Sequence, residues 1–220
     1  MPFALSFIGP HNAGKTTLLQ GLVQELTERG LKVGFIKSSK EEAAERERPG
    51  ADTLLIKEAG AEPVAFWGTK ELNLSFSAPP KNDLSFWAFL ARYFSQCDLV
   101  LCEGFKGLKS LPKIEVVPDQ AKELLWPQVP GVIALVSKQS HPELPTFHPA
   151  GISTLADFIL ALKPHRQERV TLVVDGQALG LTRFVSQALA GVVKGFVQNL
   201  RGTGPLHSIE LKIKLLEDEL

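Results

Sequence analysis

The stretch Gly9-Pro10-His11-Asn12-Ala13-Gly14-Lys15-Thr16 decides how this chain folds, because it has the G-x-x-x-x-G-K-T spacing of a phosphate-binding P-loop. The two glycines allow the backbone to turn tightly, so that its N–H groups point inward at phosphate oxygens. The ammonium of Lys15 suits terminal phosphates, and the hydroxyl of Thr16 suits Mg²⁺. We therefore predict a nucleotide-binding loop made of Gly9, His11, Asn12, Ala13, Gly14, Lys15, Thr16 and Thr17.

A strand and a helix flank this loop in the order that a P-loop needs. Residues 3–8 form an apolar run that predicts a strand leading into the loop. After the loop, the stripe of an amphipathic helix is formed by Leu18, Leu19, Leu22, Val23 and Leu26. Arg29-Gly30 then predicts the end of that helix. The alternative interpretation of the motif is a glycine-rich structural turn.

A second apolar run, from Leu99 to Cys102, ends in the acid Glu103. Four consecutive apolar residues indicate a central parallel strand that is buried on both faces. An acid at the carboxyl end of such a strand, facing a P-loop, holds the water shell of the metal or orients the attacking water. We therefore predict Lys15 and Glu103 as catalytic residues, and Thr16 and Glu103 as metal ligands. Asp98, at the start of the run, is interpreted as a residue that begins the strand.

The remaining patterns alternate between strands and helices. Further strands are predicted at 31–36, 63–67, 114–117 and 132–136, and further helices at 51–59, 84–95 and 152–162. Asp83 is the predicted N-cap of the helix at 84–95. Such alternation, with a P-loop at the first turn, predicts a doubly wound, mostly parallel α/β sheet of the P-loop NTPase type over residues 1–163.

The C-terminal part of the chain has a different pattern. A predicted strand at 170–174 is followed by the hairpin signal Asp175-Gly176, a helix at 183–200 and an alternating strand at 209–213. We predict a small α+β module over residues 169–214. A segment of this size cannot easily build its own core, so we expect it to dock on the main domain or on a second subunit.

Composition excludes several functional classes. Lys+Arg and Asp+Glu balance at 24 each, so no net field favours nucleic acid or an anionic membrane. No run of apolar residues is long enough to span a bilayer, and the N-terminus has no basic region of a signal peptide. Cys97 and Cys102 are the two cysteines of the chain, and their spacing indicates neither a disulfide framework nor a zinc site. These features together predict a cytoplasmic protein.

A succession of motifs gives this chain a family resemblance. It comprises residues 9–18, 33–37, 48–52 and 58–61, then Asp98-Leu-Val-Leu-Cys-Glu-Gly-Phe-Lys106 and Pro112-Lys-Ile-Glu-Val-Val117. The succession resembles molybdopterin-guanine dinucleotide biosynthesis protein B over roughly residues 1–136. One departure is that the family carries a histidine after the lysine that ends the second strand, whereas Ser38 and Ser39 follow Lys37 here.

The resemblance implies a specific function. Members of that family are homodimeric, GTP-binding adapters with weak GTPase activity in molybdenum cofactor maturation, so GTP and Mg²⁺ are the expected cofactors. They assist the guanylyltransferase that attaches GMP to molybdopterin, which makes that enzyme, and molybdopterin itself, expected partners. Lys37 and Lys106 follow predicted strands and are candidate contacts for nucleotide or pterin phosphate, and Asp52 is a candidate sensor of the γ-phosphate. Solvated lysines and a first-turn helix acid are the alternative interpretations.

Two other functions remain open at this point. One is a P-loop small-molecule kinase or an ATP-dependent ligase of the dethiobiotin synthetase type. The other is an interaction protein whose P-loop binds nucleotide only for stability. The choice of GTP over ATP rests on the resemblance, because the guanine-reading box N/T-K-x-D has only a partial counterpart, Ser137-Lys138-Gln139-Ser140, that lacks the aspartate.

Overall fold

The computed structural model describes residues 2–39, 52–75, 81–121, 123–163, 172–174 and 177–200, together with the isolated positions Val170, Leu206, Ile209 and Leu211. The described residues form ten strands and five helices. The strands are β1 (Phe3–Ile8), β2 (Val33–Lys37), β3 (Val64–Trp67), β4 (Leu72–Ser75), β5 (Leu99–Glu103), β6 (Lys113–Val116), β7 (Val132–Val136), β8 (Thr146–Phe147), β9 (Leu172–Val174) and β10 (Gln177–Leu179). The helices are α1 (Lys15–Glu28), α2 (Asp52–Glu58), α3 (Asp83–Tyr93), α4 (Ile152–Leu162) and α5 (Arg183–Gln198).

Six parallel strands form the central sheet, in the order β2-β5-β1-β6-β7-β8. β1 and β5 lie in the middle and are almost entirely buried, as expected for apolar runs that are covered on both faces. The chain crosses over between β1 and β2 through α1, which leaves β5 to fill the place between them. The predicted doubly wound α/β fold is confirmed.

Helices cover both faces of this sheet. On one face α1 and α4 pack together, and the leucine stripe of α1 contacts β1, β5 and β6 in one apolar cluster that includes Leu22, Leu26, Leu155 and Ile159. On the other face Phe86 and Leu90 of α3 pack against Ala4, Val100 and Cys102. The P-loop follows β1 directly, so these two cores fix its position from both sides.

Two antiparallel hairpins lie outside the central sheet. The hairpin of β3 and β4 follows α2, and the hairpin of β9 and β10 precedes α5. β10 lies against α3, which agrees with the first of the two docking alternatives, the main domain. Whether residues 169–214 form a domain of their own stays a prediction. The turn at 175–176 and most of the strand predicted at 209–213 lie outside the described residues.

Some local predictions differ from the structure. The N-cap of α3 is Asn82, whose side chain accepts a hydrogen bond from the Ser85 amide at 2.9 Å, so the prediction of Asp83 was wrong. Asp83 is instead the first residue of the helix and accepts hydrogen bonds from a neighbouring loop. The short strands β4 and β8 were not predicted. None of the helices in the described part of the chain is both long and apolar enough to cross a bilayer.

Candidate functional site

The P-loop has the backbone geometry that its sequence predicts. Gly9 has φ +150°, and a Cβ atom there would lie 2.4 Å from the carbonyl oxygen of Val116, so no larger residue fits. Gly14 has φ +80° and is the N-cap of α1, where no side chain caps the first turn. The first-turn amides of a helix lack partners within the helix and carry partial positive charge. The N-terminus of α1 therefore presents the unpaired amides and the partial positive charge that suit an anion.

An open cleft of 390 Å³ lies over this loop. Its walls come from three strand ends, those of β1, β2 and β5, which meet at one edge of the sheet because the strands are parallel. The residues that line it are His11, Asn12, Ala13, Gly14, Lys15, Thr16, Thr17, Lys37 and Glu103. The structure thus brings together most of the residues that were predicted separately along the sequence.

Lys15 lies at the start of α1 and folds back over the loop. Its ammonium donates hydrogen bonds to the carbonyl oxygens of Gly9, at 3.3 Å, and Pro10, at 2.6 Å. Burial lowers the pKa of Lys15 below its ordinary value. The Glu103 carboxylate opposes that shift, whereas the positive charges of Lys106 and Lys37 add to it. The three cations therefore repel one another, and an anion bound among them would relieve this repulsion.

Glu103 is the last residue of β5, and only 9% of it is exposed. In the register of the sheet it pairs with Phe7 of β1 and with Lys37 of β2. The Lys37 ammonium is 3.7 Å from the Glu103 carboxylate, and this carboxylate is the only one that lines the cleft in the described part of the chain. Asp98, at the other end of β5, instead accepts a hydrogen bond from the Lys32 amide at 3.0 Å.

The backbone around Glu103 is fixed by hydrogen bonds to both neighbouring strands. The Gly104 amide donates to the Phe7 carbonyl at 3.0 Å, and the Ser38 amide donates to the Glu103 carbonyl at 2.9 Å. The buried hydroxyl of Ser6 donates to the Gly104 carbonyl at 2.6 Å. These bonds tie the P-loop strand to the end of β5, so the carboxylate is held in place relative to the loop.

The donor set of the cleft fits a magnesium ion. The Thr16 hydroxyl and the Glu103 carboxylate are oxygen ligands, which Mg²⁺ prefers, and this ion keeps several waters and takes further ligands from phosphates. Among the described residues no group of three or more His, Cys, Asp or Glu side chains could hold a metal ion by itself. A cation at this place would therefore depend on a bound phosphate.

Three predicted residues, Gly9, Lys106 and Asp52, lie outside the cleft lining, and Gly9 is packed against the Val116 carbonyl instead. Lys106 is exposed on the loop after β5, close enough to affect Lys15 electrostatically. Asp52 is exposed in the first turn of α2 and does not line the cleft, so its role as a γ-phosphate sensor stays a prediction. The loop that carries Lys106 is fixed from outside by Asp83, which accepts hydrogen bonds from the amides of Lys109 and Ser110.

Sequence reasoning quoted Lys113 and Glu115 of β6 only as part of the family motif, and it missed that these buried charges hold the loops around the site. The Lys113 ammonium is fully buried and donates to the carbonyl oxygens of Leu108, Leu111 and Pro130. Burial lowers the pKa of Lys113. The Glu115 carboxylate accepts hydrogen bonds from the amides of Leu125, at 2.7 Å, and Trp126, at 3.0 Å. Two charges alternating with apolar residues in a strand beside the P-loop were the available signal.

Comparison with known protein families adds an independent finding. A family model described as molybdopterin guanine dinucleotide synthesis protein B matches residues 4–138. The molybdopterin-guanine dinucleotide biosynthesis adapter protein of Escherichia coli (strain K12) is 31% identical over 118 residues, which are 53% of this chain and 66% of that protein, just under two thirds of its length. The probable adapter protein of the same name from Bacillus subtilis (strain 168) is 30% identical, covering 73% of this chain and 93% of that protein.

Solved structures agree with these sequence matches. The crystal structure of Bacillus subtilis MobB has a TM-score of 0.58 and 27% identity, and the match covers 76% of this chain and all of that one. A further crystal structure, titled molybdopterin-guanine biosynthesis protein B, has a TM-score of 0.57 and 26% identity over 73% of this chain and 98% of that chain.

Proposed function

Because the chain belongs to the molybdopterin guanine dinucleotide synthesis protein B family, we propose that it is a GTP-binding adapter in the formation of molybdopterin guanine dinucleotide. The observation that carries the proposal is the cleft that Lys15 of the P-loop and Glu103 of β5 both line, where the Glu103 carboxylate acts electrostatically on the Lys15 ammonium. A P-loop lysine beside an acid at the end of the neighbouring strand is the arrangement of nucleoside triphosphatases. The assignment to molybdopterin guanine dinucleotide formation comes from the names of the relatives, which are called adapter proteins of that biosynthesis.

In this proposal each residue of the cleft has a defined task. The backbone amides of Gly9 and of residues 11–17, together with the Lys15 ammonium, bind the phosphates. Lys15 must first leave the carbonyl oxygens of Gly9 and Pro10, and it exchanges those two neutral acceptors for charged ones. Thr16 and Glu103 hold Mg²⁺, which neutralises phosphate charge when it is bound. Lys37 keeps the Glu103 carboxylate oriented, and Lys106 adds positive charge at the open side.

Hydrolysis by this site should be slow. Glu103 is the only carboxylate that lines the cleft in the described part of the chain, and the proposal assigns it to the cation. No second acid there is left to activate a water molecule, although such a group typically contributes 10²–10⁴-fold to a rate, as an order of magnitude. We therefore propose at most a weak GTPase. Slow turnover suits a protein whose bound state, rather than its product, is passed to a partner.

The proposed partners are the guanylyltransferase that attaches GMP to molybdopterin, molybdopterin itself and a second copy of this chain. The hairpin of β3 and β4 supports a protein contact, because Trp67 is 84% exposed and lies directly opposite Leu72, itself exposed. Exposed apolar side chains that are grouped in this way are typical of interaction surfaces. The exposed Leu55 and Ile56 lie on the adjoining helix α2.

Titration with GTP and ATP analogues in the presence of Mg²⁺ tests the nucleotide part of the proposal. We expect GTP to bind more tightly than ATP, and Lys15→Ala to weaken GTP binding by about 10- to 100-fold, because it removes a charged hydrogen-bond donor. Lys70→Ala, which removes an exposed lysine in the turn between β3 and β4, is the matched control and should leave binding unchanged.

Other outcomes of this titration would favour the alternative functions. A preference for ATP, with turnover that a small acceptor stimulates strongly, would indicate a small-molecule kinase or an ATP-dependent ligase. Equal binding by the wild type and Lys15→Ala would contradict the proposed site altogether. Association with the guanylyltransferase should then be measured with and without GTP, and independence from nucleotide would refute the adapter role.

A further inference from the structure

We propose that Asp119, held beside Lys138 at the ends of β6 and β7, reads the guanine base and so supplies the carboxylate that the segment Ser137–Ser140 lacks. This inference rests on the proposed function, because it assumes that a nucleoside triphosphate occupies the P-loop. It goes further in assigning the choice between guanine and adenine to one named side chain.

The sheet order determines where the base must lie. The residues that face the terminal phosphates and the cation, Lys37 and Glu103, belong to β2 and β5, on one side of β1. The nucleoside must therefore extend toward the other side of β1, where β6 and β7 follow. The P-loop is in close contact with the end of β6, because Gly9 approaches the Val116 carbonyl so closely that a side chain would not fit. Parallel strands are about 4.8 Å apart, so β7 lies within about 10 Å of the loop.

The loops that follow β6 and β7 are joined at this edge. The Val117 amide donates to the Val136 carbonyl at 2.9 Å, which continues the sheet for one further residue. Beyond it, the Lys138 ammonium is 2.5 Å from the Asp119 carboxylate. These contacts bring a carboxylate from one loop to the lysine of the other, although the two residues are far apart in the sequence.

The loops that carry Asp119 and Lys138 make further contacts with each other and with β6. The ring of Trp126 packs edge-on against His141, with centroids 5.2 Å apart, and joins the same two loops a second time. The Glu115 carboxylate accepts hydrogen bonds from the amides of Leu125 and Trp126 and so holds this segment in place. The Gln139 amide donates to the Ser137 hydroxyl at 3.1 Å, which makes a local turn around Lys138. The two loops that carry the pair are therefore tied to each other and to β6.

The Lys138–Asp119 ion pair is open to solvent, so a ligand can reach the carboxylate and replace the lysine as its partner. The side chains of Lys138 and Asp119 are 59% and 56% exposed. Exposed ion pairs contribute little to stability, so a ligand can take over the carboxylate at small cost. The hydrocarbon stem of Lys138 would then cover the face of the base, while its ammonium stays in water.

The chemistry of a carboxylate selects guanine. An ionised carboxylate only accepts hydrogen bonds, and it has two oxygens side by side. Guanine presents two adjacent donors, the N1–H and the 2-amino group, which match those oxygens. Adenine has no 2-amino group, and its N1 is an acceptor, so it would place a lone pair against the negative charge. Asp119 therefore favours guanine and disfavours adenine at the same time.

Replacing Asp119 by asparagine should exchange the preferred base. The Asn amide can accept from N1–H and donate to a 2-oxo group, which is the pattern of xanthine. We expect Asp119→Asn to weaken GTP binding by about 10- to 100-fold and to bind XTP more tightly than GTP. Binding of inorganic tripolyphosphate, which has no base, should be the same in the variant and the wild type. Glu143→Gln removes another exposed carboxylate, on the loop after β7, and should keep the wild-type preference for GTP.

The outcomes separate this inference from the proposed function. A wild type that prefers GTP, with an Asp119→Asn variant that still prefers GTP over XTP, would overturn the role of Asp119 and leave the proposed function intact. A wild type that binds GTP and ATP equally would overturn both. A variant that has merely unfolded would lose tripolyphosphate as well and could not gain affinity for XTP, so a reversed preference supports the inference.

Discussion

Replacing Lys113 by methionine is expected to lower the free energy of unfolding by about 3 kcal/mol. The ammonium is completely buried and donates to three backbone carbonyl oxygens, those of Leu108, Leu111 and Pro130. Methionine fills a similar volume but donates nothing. The hydrogen bonds to Leu108 and Leu111 are buried, and each of those two carbonyls left without a donor costs about 1–3 kcal/mol, whereas the contact with Pro130 is only partly buried and adds less. A domain of this kind is stabilised by only about 5–15 kcal/mol, so the loss would be a large fraction of the total.

The cost of removing the Lys113 ammonium from water acts in the opposite direction. Burying an ammonium costs several kcal/mol, and replacing a buried ion pair by apolar residues is often neutral. Here, however, the acceptors belong to the backbone and cannot be removed together with the lysine. Because the three carbonyls belong to the segments on both sides of β6, we expect those segments to loosen rather than to repack.

Urea unfolding of Lys113→Met and the wild type, followed by circular dichroism, measures this difference. Lys109→Met, which changes an exposed lysine near the same loop, is the matched control and should stay within about 0.5 kcal/mol of the wild type. A Lys113→Met protein that is as stable as the control would refute the reasoning. It would mean that water satisfies the three carbonyls or that the buried charge costs as much as its hydrogen bonds contribute.

Three further predictions concern the P-loop and the cysteines. Gly9→Ala should abolish nucleotide binding and destabilise the protein by about 3 kcal/mol, as measured by calorimetry, because its Cβ would lie 2.4 Å from the Val116 carbonyl oxygen. Affinity for Mg²⁺-free tripolyphosphate should fall as the pH rises through the lowered pKa of Lys15, beginning below the ordinary value of 10.5, because the anion prefers the protonated ammonium. Cys102 should resist iodoacetamide in the native protein, because burial raises its pKa to about 12 and leaves about one thiol in 10,000 ionised at pH 8.

Gly107→Ala and Lys15→Met are the control variants for the first two predictions, and Cys97 is the internal reference for the third. Gly107→Ala should bind nucleotide normally, because nothing lies within 4 Å of its added Cβ. If Gly9→Ala and Gly107→Ala lost the same amount of binding and stability, a clash at Gly9 could not be the cause. Lys15→Met should show a smaller alkaline loss of tripolyphosphate affinity than the wild type, and an equal loss in both proteins would exclude Lys15 as its cause. Labelling of Cys102 as fast as the partly exposed Cys97 would show that the core opens readily.

The amino-acid sequence by itself determined the parts of this protein that depend on neighbouring residues. The strand before the P-loop, the tight turn at Gly9 and Gly14, and the leucine stripe of α1 are all local, and the structure has them as predicted. The acid at the end of the buried run 99–103 was recognised in the same way. Local torsional preference and hydrophobic periodicity are sufficient for such features, because every residue involved lies within a few turns of chain.

Only the tertiary structure decided which of these elements meet. The placement of β5 between β1 and β2 brings Lys37 to Glu103, and the neighbouring β6 and β7 bring Asp119 to Lys138. Strand β8 has too few residues for a periodic pattern, and strand β4 forms by antiparallel pairing with β3, which its own four residues do not specify. The hydrogen bonds of Lys113 depend on loops that converge from both sides. The physical reason is the same in each case: pairing between strands distant in sequence follows from the burial of a shared core, and no short window of residues records that arrangement.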